Sequence, residues 1–154
     1  MEGNLIIENH FGVVFIYTEN VAVYRNSFIN NTRQADLYKS NACWSSRWNV
    51  TGNYWSDYGG TSWNNYCIGI TPYNVSGVYD QNPLMSPYLP GDVYHDGVVD
   101  IRDIAIISKA YGSSPGTDEW DAHADLNEDA VVDIKDISIA NANYGKTWQA
   151  YWGL

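Results

Sequence analysis

Aspartates recur at a fixed spacing in two segments of the chain. Residues 92–103 and 125–136 each carry aspartate at positions 1, 5, 9 and 12, so the second segment repeats the pattern of the first. Four carboxylates within so short a segment repel one another strongly unless a cation lies among them. Oxygen ligands so crowded are typical of a hard divalent cation. The spacing therefore predicts two calcium sites.

The elements that position these aspartates are loops that each precede a helix. The two copies continue to match through residues 98–112 and 131–145, which includes one helix length after each loop. Pro87, Pro90 and Gly91 precede the first loop, so no helix is expected to lead into it. An internal repeat of loop followed by helix is therefore predicted, whereas an EF-hand has a helix on both sides of its loop.

This arrangement resembles the type I dockerin domain, a calcium-dependent module that joins secreted proteins to cohesin domains on scaffolds or cell surfaces. The resemblance covers about residues 90–148. It implies side-chain ligands at loop positions 1, 3, 5 and 12, a backbone carbonyl at position 7 and a water-bridging residue at position 9. The implied ligands of two calcium ions are Asp92, Tyr94, Asp96, Val98, Asp100 and Asp103, then Asp125, Asn127, Asp129, Val131, Asp133 and Asp136.

Two departures from the dockerin pattern distinguish the loops. Tyr94 stands at position 3 of the first loop, where a small amide or carboxylate would ligate the ion. Ala130 stands at position 6 of the second loop, where the first loop has Gly97. A left-handed backbone at this position costs a residue other than glycine about 1 to 2 kcal/mol. The two calcium sites are therefore predicted to be unequal.

The apolar residues of each helix predict its buried and exposed faces. At 100° per residue, one face is expected to form the core, with Ile101, Ile104, Ile107, Ser108 and Tyr111 in the first helix and Ile134, Ile137, Ala140 and Tyr144 in the second. Ile106 and Ile139 point away from that face and are predicted to be an exposed docking pair. The dockerin resemblance adds Ile101, Arg102, Lys109, Ile134 and Lys135 as partner-binding residues.

The first 88 residues have a different composition, rich in asparagine and aromatic residues. Short apolar runs at 5–7, 13–17 and 21–24 predict strands between turns. The Asn-x-Phe triplet recurs at 9–11 and 26–28. This close recurrence favours a parallel β-helix in which turn asparagines adopt left-handed backbone angles and stack from one coil to the next.

Residues 26–32, 52–58, 69–73 and 82–85 resemble the C-terminal end of secreted archaeal and bacterial right-handed β-helix repeat proteins, a group that carries sugar-hydrolase or copper-binding names. The acidic, glycine-rich stretch of that group is replaced here by residues 63–67, so its ion site is not expected. A C-terminal cap is predicted from Trp44, Trp48, Tyr54, Trp55 and Tyr58. The predicted fold is therefore mixed: a right-handed parallel β-helix end with its cap, all-β, over residues 1–88, and a small all-α dockerin-like calcium-binding domain over residues 89–154.

The beginning of the chain predicts an open β-helix end. Only two or three coils precede the aromatic segment, and no secretion signal precedes the first strand. Either the chain is expected to be part of a longer protein, or its first coil is covered by a neighbouring subunit.

No catalytic residues are predicted. Sugar cleavage needs paired carboxylates, or carboxylates with a basic residue. The acidic residues of this half are scattered, with no close pairing, at Glu2, Glu8, Glu19, Asp36, Asp57 and Asp80. Copper binding is not expected, because His10 is the single histidine of this half. Packing is the more common role of the many aromatic rings, but they could also stack on sugars, so a glycan is a second candidate partner.

Cysteines and sequons predict an extracellular or cell-surface location. Cys43 and Cys67 form an even pair for which a disulfide is predicted, with two free thiols as the alternative. Asn30, Asn49 and Asn74 are candidate glycosylation sites.

The formal net charge of −10 argues against nucleic acid and anionic membranes as partners, and no segment is long enough to insert into a membrane. Two function classes remain. One is a non-catalytic module that docks into a cohesin-like partner or the cell surface, and the other is a self-assembling surface or filament protein that calcium stabilises. A polysaccharide-degrading role is expected only of residues upstream of this chain.

Overall fold

The computed structural model describes residues 1–62 and 66–154, and the chain divides into two compact units, Met1–Tyr88 and Leu89–Leu154. The first unit is built from short strands separated by tight corners. Its strands are β1 (Leu5–Ile7), β2 (Phe11–Ile16), β3 (Val21–Ala22), β4 (Ser27–Ile29), β5 (Arg33–Tyr38), β6 (Ala42–Cys43), β7 (Tyr54–Trp55), β8 (Tyr73–Val75) and β9 (Val78–Asp80).

The first seven strands pair in parallel with strands one repeat away. Strand β1 pairs with β4, β2 with β5 and β3 with β6, and β4 also pairs with β7. The register joins Leu5 to Ser27 and Phe11 to Arg33, so the first two pairs of strands share one offset. Parallel neighbours need a crossover connection, and here the two intervening strands and their corners supply it.

Left-handed residues make the corners, and asparagine side chains connect them. The backbone φ is positive at Glu8 and at Asn30, which follow the ends of β1 and β4. Nδ2 of Asn4 donates to Oδ1 of Asn26 at 2.8 Å, and Nδ2 of Asn26 donates to Oδ1 of Asn53 at 3.0 Å. Asparagine amides therefore stack from one repeat to the next, as expected. The stacked residues Asn4, Asn26 and Asn53 do not have a positive φ, so the left-handed corners are made by other residues.

The core of this unit is aromatic. The rings of Phe28 and Trp55 stack at 4.5 Å between centroids, and Trp55 stacks on Tyr73 at 4.6 Å. Trp44 packs edge-on against Trp55, and both indoles are buried. Of the predicted cap, these two tryptophans belong to the core itself and Tyr58 packs against it.

The predicted β-helix with its cap is wrong for this unit. The strands form separate small sheets, one of three strands and three of two, and no closed β-helix is present among residues 1–62 and 66–88. The last sheet is an antiparallel hairpin of β8 and β9. The strands are short because they end at the left-handed corners, which limits every ladder to a few hydrogen bonds.

The repeat predicted from the Asn-x-Phe triplets is also wrong. The triplets are not equivalent, because Phe28 is fully buried whereas Phe11 is 41% exposed. Asn9 instead lies beside Asn31, whose Oδ1 accepts from the backbone N–H of Asn9 at 2.9 Å. The Asn-x-Phe triplet aligned Phe28, whose side chain is buried in the core, with Phe11, whose side chain is exposed.

The second unit contains α1 (Ile101–Ala110), α2 (Ile134–Asn143) and α3 (Trp148–Trp152). The predicted all-α fold is wrong here too, since the three helices are short and loops and turns occupy most of the unit. The long aspartate loops account for this, because their backbone N–H groups bond to carboxylates rather than to helical carbonyls.

In this unit, the loop of each repeat accepts a hydrogen bond from the residues that follow the other repeat's helix. The N–H of Gly112, which follows α1, donates to the carbonyl of Val132 in the second loop at 2.8 Å. The N–H of Gly145, which follows α2, donates to the carbonyl of Val99 in the first loop at 2.8 Å. Both valines are fully buried. The two repeats therefore form one interlocked core rather than two independent units.

The predicted helix faces are rotated from the observed ones. Asp103, Ile107 and Ala110 are the buried residues of α1, and Asp136, Ala140 and Asn143 are those of α2. Ile107 and Ala140 were correctly placed, but Ser108 and four large residues expected in the core are exposed: Ile101, Tyr111, Ile134 and Tyr144. Ile106 and Ile139, predicted as the exposed pair, are partly buried. The physical reason is that Asp103 and Asp136 must face inward to bond the loop backbone.

Candidate functional site

The first aspartate of each loop is buried and bonded to the loop backbone. Oδ2 of Asp92 accepts from the N–H of Gly97 at 2.8 Å, and Oδ2 of Asp125 accepts from the N–H of Ala130 at 3.0 Å. The Oδ1 atoms accept from the N–H groups at position 5, those of Asp96 and Asp129. Both loops thus fold around the carboxylate of their first residue.

The last aspartate of each loop joins the loop to its helix. Oδ1 of Asp103 accepts from the N–H of Tyr94 at 2.9 Å, and its Oδ2 accepts from the N–H of Asp100 at 2.8 Å. In the second loop, Oδ1 of Asp136 accepts from the N–H of Asn127 at 3.3 Å and its Oδ2 accepts from the N–H of Asp133 at 2.8 Å. Asp100 and Asp133 cap α1 and α2 as reciprocal capping boxes. Positions 1, 9 and 12 are therefore fixed by backbone hydrogen bonds in both copies.

Burial makes these carboxylates hard to ionise. Burial, together with the neighbouring charges of Asp103 and Asp96, raises the pKa of Asp92 to about 7. Burial likewise raises the pKa of Asp103 and that of Asp136. A desolvated carboxylate beside others of the same charge is stabilised by a cation. The first loop therefore has the electrostatics of a cation site.

A basic residue at loop position 11 pairs with positions 5 and 9 in both copies. Arg102 forms ion pairs with Asp96 and Asp100, and its guanidinium lies 5.1 Å from the ring centroid of Tyr94. Lys135 Nζ lies 2.6 Å from Oδ2 of Asp129 and 3.7 Å from Oδ2 of Asp133. These contacts lower the pKa of Asp100 through the Arg102 hydrogen bond and that of Asp129 through the Lys135 hydrogen bond.

The complete predicted ligand sets are not assembled. Within residues 1–62 and 66–154, no group of three or more His, Cys, Asp or Glu side chains is placed to hold a metal ion. The position 5 carboxylates of Asp96 and Asp129 are directed to basic side chains. The carboxylates at positions 1 and 12 are already bonded to the loop backbone. The carboxylate at position 5 would have to leave its basic partner in order to ligate an ion.

The turn at position 6 has the expected left-handed backbone. Ala130 has a φ of 74°, and the equivalent Gly97 has a φ of 91°. The prediction that alanine occupies a position suited to glycine is therefore confirmed.

The Ala130→Gly protein is expected to be more stable than the wild type by about 1 kcal/mol, because the strain of a left-handed alanine is relieved. Urea unfolding of the full chain in calcium, followed by the resonances of α2, measures this difference. The reverse change Gly97→Ala, at the equivalent position, is the matched control and should destabilise. A destabilised Ala130→Gly protein would show that this turn is not left-handed in solution.

The predicted partner-binding residues differ in their exposure to solvent. Ile101 is 65% exposed and Ile134 is 60% exposed, and both stand at the start of their helices. Arg102, Lys109 and Lys135 are also exposed, while Ile106 and Ile139 are partly buried. Tyr111 and Tyr144, which were predicted to lie in the core, are also exposed at equivalent positions of the two repeats.

The remaining predicted site residues lie in the first unit. The predicted disulfide is not formed, since Cys43 and Cys67 are both thiols and the Cys43 Sγ lies 3.8 Å from the carbonyl oxygen of Ser45. Asn30, Asn49 and Asn74 are exposed. Residues 63–65, most of the segment that replaces the acidic glycine-rich stretch, lie outside the described residues.

Two carboxylates that the sequence left scattered share one cleft. Asp36 and Asp57, with Tyr73, line a polar cleft of about 320 Å³ in the first unit. These side chains come from distant parts of the sequence, and no short motif connects them.

No helix in the described part of the chain has the length and apolar character needed to cross a membrane.

Two family models match separate parts of the chain. Residues 90–142 match the model described as Dockerin type I domain. Residues 1–60 match the model described as Periplasmic copper-binding protein (NosD). The first match coincides with the duplicated loop and helix repeat, so this region is similar to dockerin domains.

One similar solved structure is a type II cohesin–X-dockerin complex from Acetivibrio cellulolyticus that carries a mutation at its N-terminal interface. The two chains are 29% identical, the TM-score is 0.35, and the match covers 38% of this chain and 37% of that chain. No curated protein matches the chain.

Proposed function

We propose that residues 89–154 form a calcium-dependent docking module that binds a cohesin-like partner outside the cell, and that this module attaches the Met1–Tyr88 unit to the partner. The match of residues 90–142 to the dockerin model supports the class of the module. The observation that carries the proposal is the pair of equivalent surfaces at the starts of α1 and α2. The proposal gives this chain no catalytic residue.

Each surface combines an exposed isoleucine with a basic neighbour. Ile101 and Arg102 begin α1, and Ile134 and Lys135 begin α2 at the equivalent positions of the second repeat. Single exposed apolar residues are common on protein surfaces, but isoleucines exposed at equivalent positions of two repeats, each beside a basic residue, suit a protein interface. The basic residues favour an acidic rim around an apolar pocket on the partner. Lys109, in the last turn of α1, would add positive charge facing the same acidic rim.

The loop residues fit calcium. Asp92, Asp103, Asp125 and Asp136 are buried oxygen donors already held by backbone N–H groups. We assign the remaining ligands to positions 3, 5, 7 and 9, which are Tyr94, Asp96, Val98 and Asp100 in the first loop and Asn127, Asp129, Val131 and Asp133 in the second. When bound, calcium would supply the positive charge that these desolvated carboxylates lack.

Calcium binding and docking are linked through the basic residues. The Asp96 carboxylate is paired with Arg102, and Asp129 is paired with Lys135. A carboxylate that ligates an ion holds an ammonium or guanidinium group less tightly. We therefore expect Arg102 and Lys135 to become more available to the partner when the loops are loaded.

Calorimetric titration with calcium tests the metal part of the proposal. Wild-type protein should show two binding events, and Asp92→Ala and Asp125→Ala should each remove one. Asp118→Ala, an exposed aspartate outside both loops, is the matched control and should leave both events. Retention of both events in the two loop variants would contradict the assignment of the ligands.

Binding to an immobilised cohesin domain tests the docking part. The Ile101→Ala/Ile134→Ala protein should bind at least about tenfold more weakly, as expected when interface isoleucines are truncated, and a chelator should abolish wild-type binding. Ile16→Ala removes an isoleucine that is 58% exposed in the other unit and should have no effect. Unchanged cohesin binding by the double variant would overturn the assigned surfaces.

The size of the protein in solution distinguishes self-assembly from docking. A chain that docks remains monomeric without its partner, as sedimentation can measure with and without chelator. Filaments formed by the chain alone would favour a surface-forming protein in place of a docking module.

A further inference from the structure

A polar cleft lies in the Met1–Tyr88 unit, and the proposed docking uses none of its lining residues. Its volume is about 320 Å³, and its lining includes Arg33, Gln34, Asp36, Asp57, Tyr73 and Ser76. Strand β5 supplies the first three of these residues, β8 supplies Tyr73, and Asp57 follows β7. Three sheets of the unit thus converge on the cleft.

Asp57 is held in place by a buried amide and by a phenol. Gln34 is 6% exposed, and its Nε2 donates to Oδ1 of Asp57 at 3.2 Å and to Oγ of Ser56 at 2.9 Å. The Gln34 amide is itself fixed, because its Oε1 accepts from Nδ2 of Asn31 at 2.9 Å. The hydroxyl of Tyr73 donates to both oxygens of Asp57 at 3.1 Å. The carboxylate therefore has a defined orientation before any ligand arrives.

Asp36, on strand β5, is also held by hydrogen bonds. Its Oδ1 accepts from Oγ of Ser76 at 3.0 Å and from the N–H of Leu37 at 2.9 Å. Its Oδ2 accepts from Arg33 at 2.7 Å. The bond to Ser76 joins residues 40 positions apart, so the fold and not local sequence creates this constellation.

The chemistry of the lining narrows the class of ligand. Two carboxylates and one guanidinium give the lining a negative formal charge, which disfavours phosphates and other anions. Polar groups rather than apolar side chains form most of its surface, which disfavours a hydrophobic ligand. Within residues 1–62 and 66–154, no group of three or more acidic, histidine or cysteine side chains is placed to hold a metal.

We propose that this cleft binds a neutral saccharide, with Asp36 and Asp57 accepting hydrogen bonds from sugar hydroxyls and Arg33 donating to them. Neighbouring sugar hydroxyls both donate and accept, which matches carboxylate, guanidinium, phenol and hydroxyl groups placed side by side. The volume lies at the lower end of small-ligand pockets, which suits roughly one or two sugar rings.

The test is titration of the full chain with neutral oligosaccharides, using xylohexaose, cellohexaose and mannohexaose as separate probes and trigalacturonate as an acidic comparison. Binding is followed by the amide resonances of residues 32–36 and 73–76. We expect at least one neutral probe to shift these resonances at millimolar concentration, and trigalacturonate to bind more weakly than that probe.

Substitutions in the cleft then test whether the probe binds there. Asp57→Asn and Arg33→Gln should each weaken binding of that probe by about tenfold, as expected for loss of one charged hydrogen-bond partner. Asp118→Asn and Arg47→Gln make the same chemical changes outside the cleft and should bind as the wild type does. The proposal is overturned if no neutral probe shifts these resonances, if the cleft variants bind normally, or if calcium alone produces the shifts. Because calcium loading and cohesin binding are measured separately, none of these results bears on docking.

Discussion

The Asp80→Ala protein is expected to lose the folded Met1–Tyr88 unit at ambient temperature. Asp80 is fully buried, and its carboxylate accepts from the N–H of Asn53 at 2.8 Å, from Nε1 of Trp55 at 2.9 Å and from the N–H of Asn82 at 3.1 Å. Alanine would leave these buried donors without an acceptor. Each such loss costs about 1 to 3 kcal/mol, and the sum approaches the stability of a typical domain.

The indole N–H resonance of Trp55 reports this loss directly, since it is bonded to the carboxylate. Glu19→Ala removes an exposed carboxylate from the same unit and should leave the spectrum dispersed. Gly52→Ala should also unfold the unit, because a Cβ at position 52 would clash with the carboxylate of Asp80. A folded Asp80→Ala protein with an unshifted Trp55 resonance would contradict this account of the core.

The same carboxylate makes the unit sensitive to pH. Burial raises the pKa of Asp80 from 3.8 to about 6, so the folded state binds a proton that the unfolded state has already released in this interval. The Asp80 contribution is therefore fully present below pH 4 and decreases as pH rises to about 6, by about 3 kcal/mol. Asp80→Asn keeps an acceptor oxygen, so it should be folded and should lose this pH dependence in urea unfolding monitored at Trp55.

The Val132→Asp protein is expected to unfold both repeats of the Leu89–Leu154 unit, even in saturating calcium. Val132 is fully buried, and its backbone bonds to Gly112 and Ser113 at the end of α1. An unpaired buried carboxylate costs several kcal/mol. Because the second loop holds the first helix, the damage should extend to the Asp92 loop and to α1.

Val131→Asp is the matched control, since Val131 is the adjacent residue and is 42% exposed. It should stay folded. Hydrogen exchange of the α1 amides measures the coupling, and protection of α1 should disappear in Val132→Asp together with that of α2. Continued protection of α1 beside an unfolded α2 would show that the repeats fold independently.

The features that could be read from the sequence are those made by residues close to one another along the chain. The aspartate loops and the left-handed turn at Ala130 each depend on hydrogen bonds between near neighbours in the sequence. The stacking of asparagines followed from composition for a similar reason, because a turn asparagine next to a strand has few other ways to satisfy its amide.

Features that depend on distant contacts were decided by the tertiary structure. The register of the first unit pairs Phe28 with Ile6 and not with Phe11, because the core buries Phe28 and leaves Phe11 exposed. The helix faces are set by Asp103 and Asp136, which turn inward to bond their loops. This rotation exposes Ile101 and Ile134, where periodicity alone predicted burial.

The polar cleft is the clearest example of a feature that could not be predicted from the amino-acid sequence. Asp36 and Asp57 looked unrelated in the sequence, and only the convergence of β5, β7 and β8 places them around one cavity. Local hydrogen-bond chemistry repeats wherever the same residues recur, so the duplicated aspartate loops could be predicted from the order of the residues alone. Which side chains meet across a core depends on the packing of the whole unit, so the register, the exposed isoleucine pair and the cleft became apparent from the three-dimensional fold.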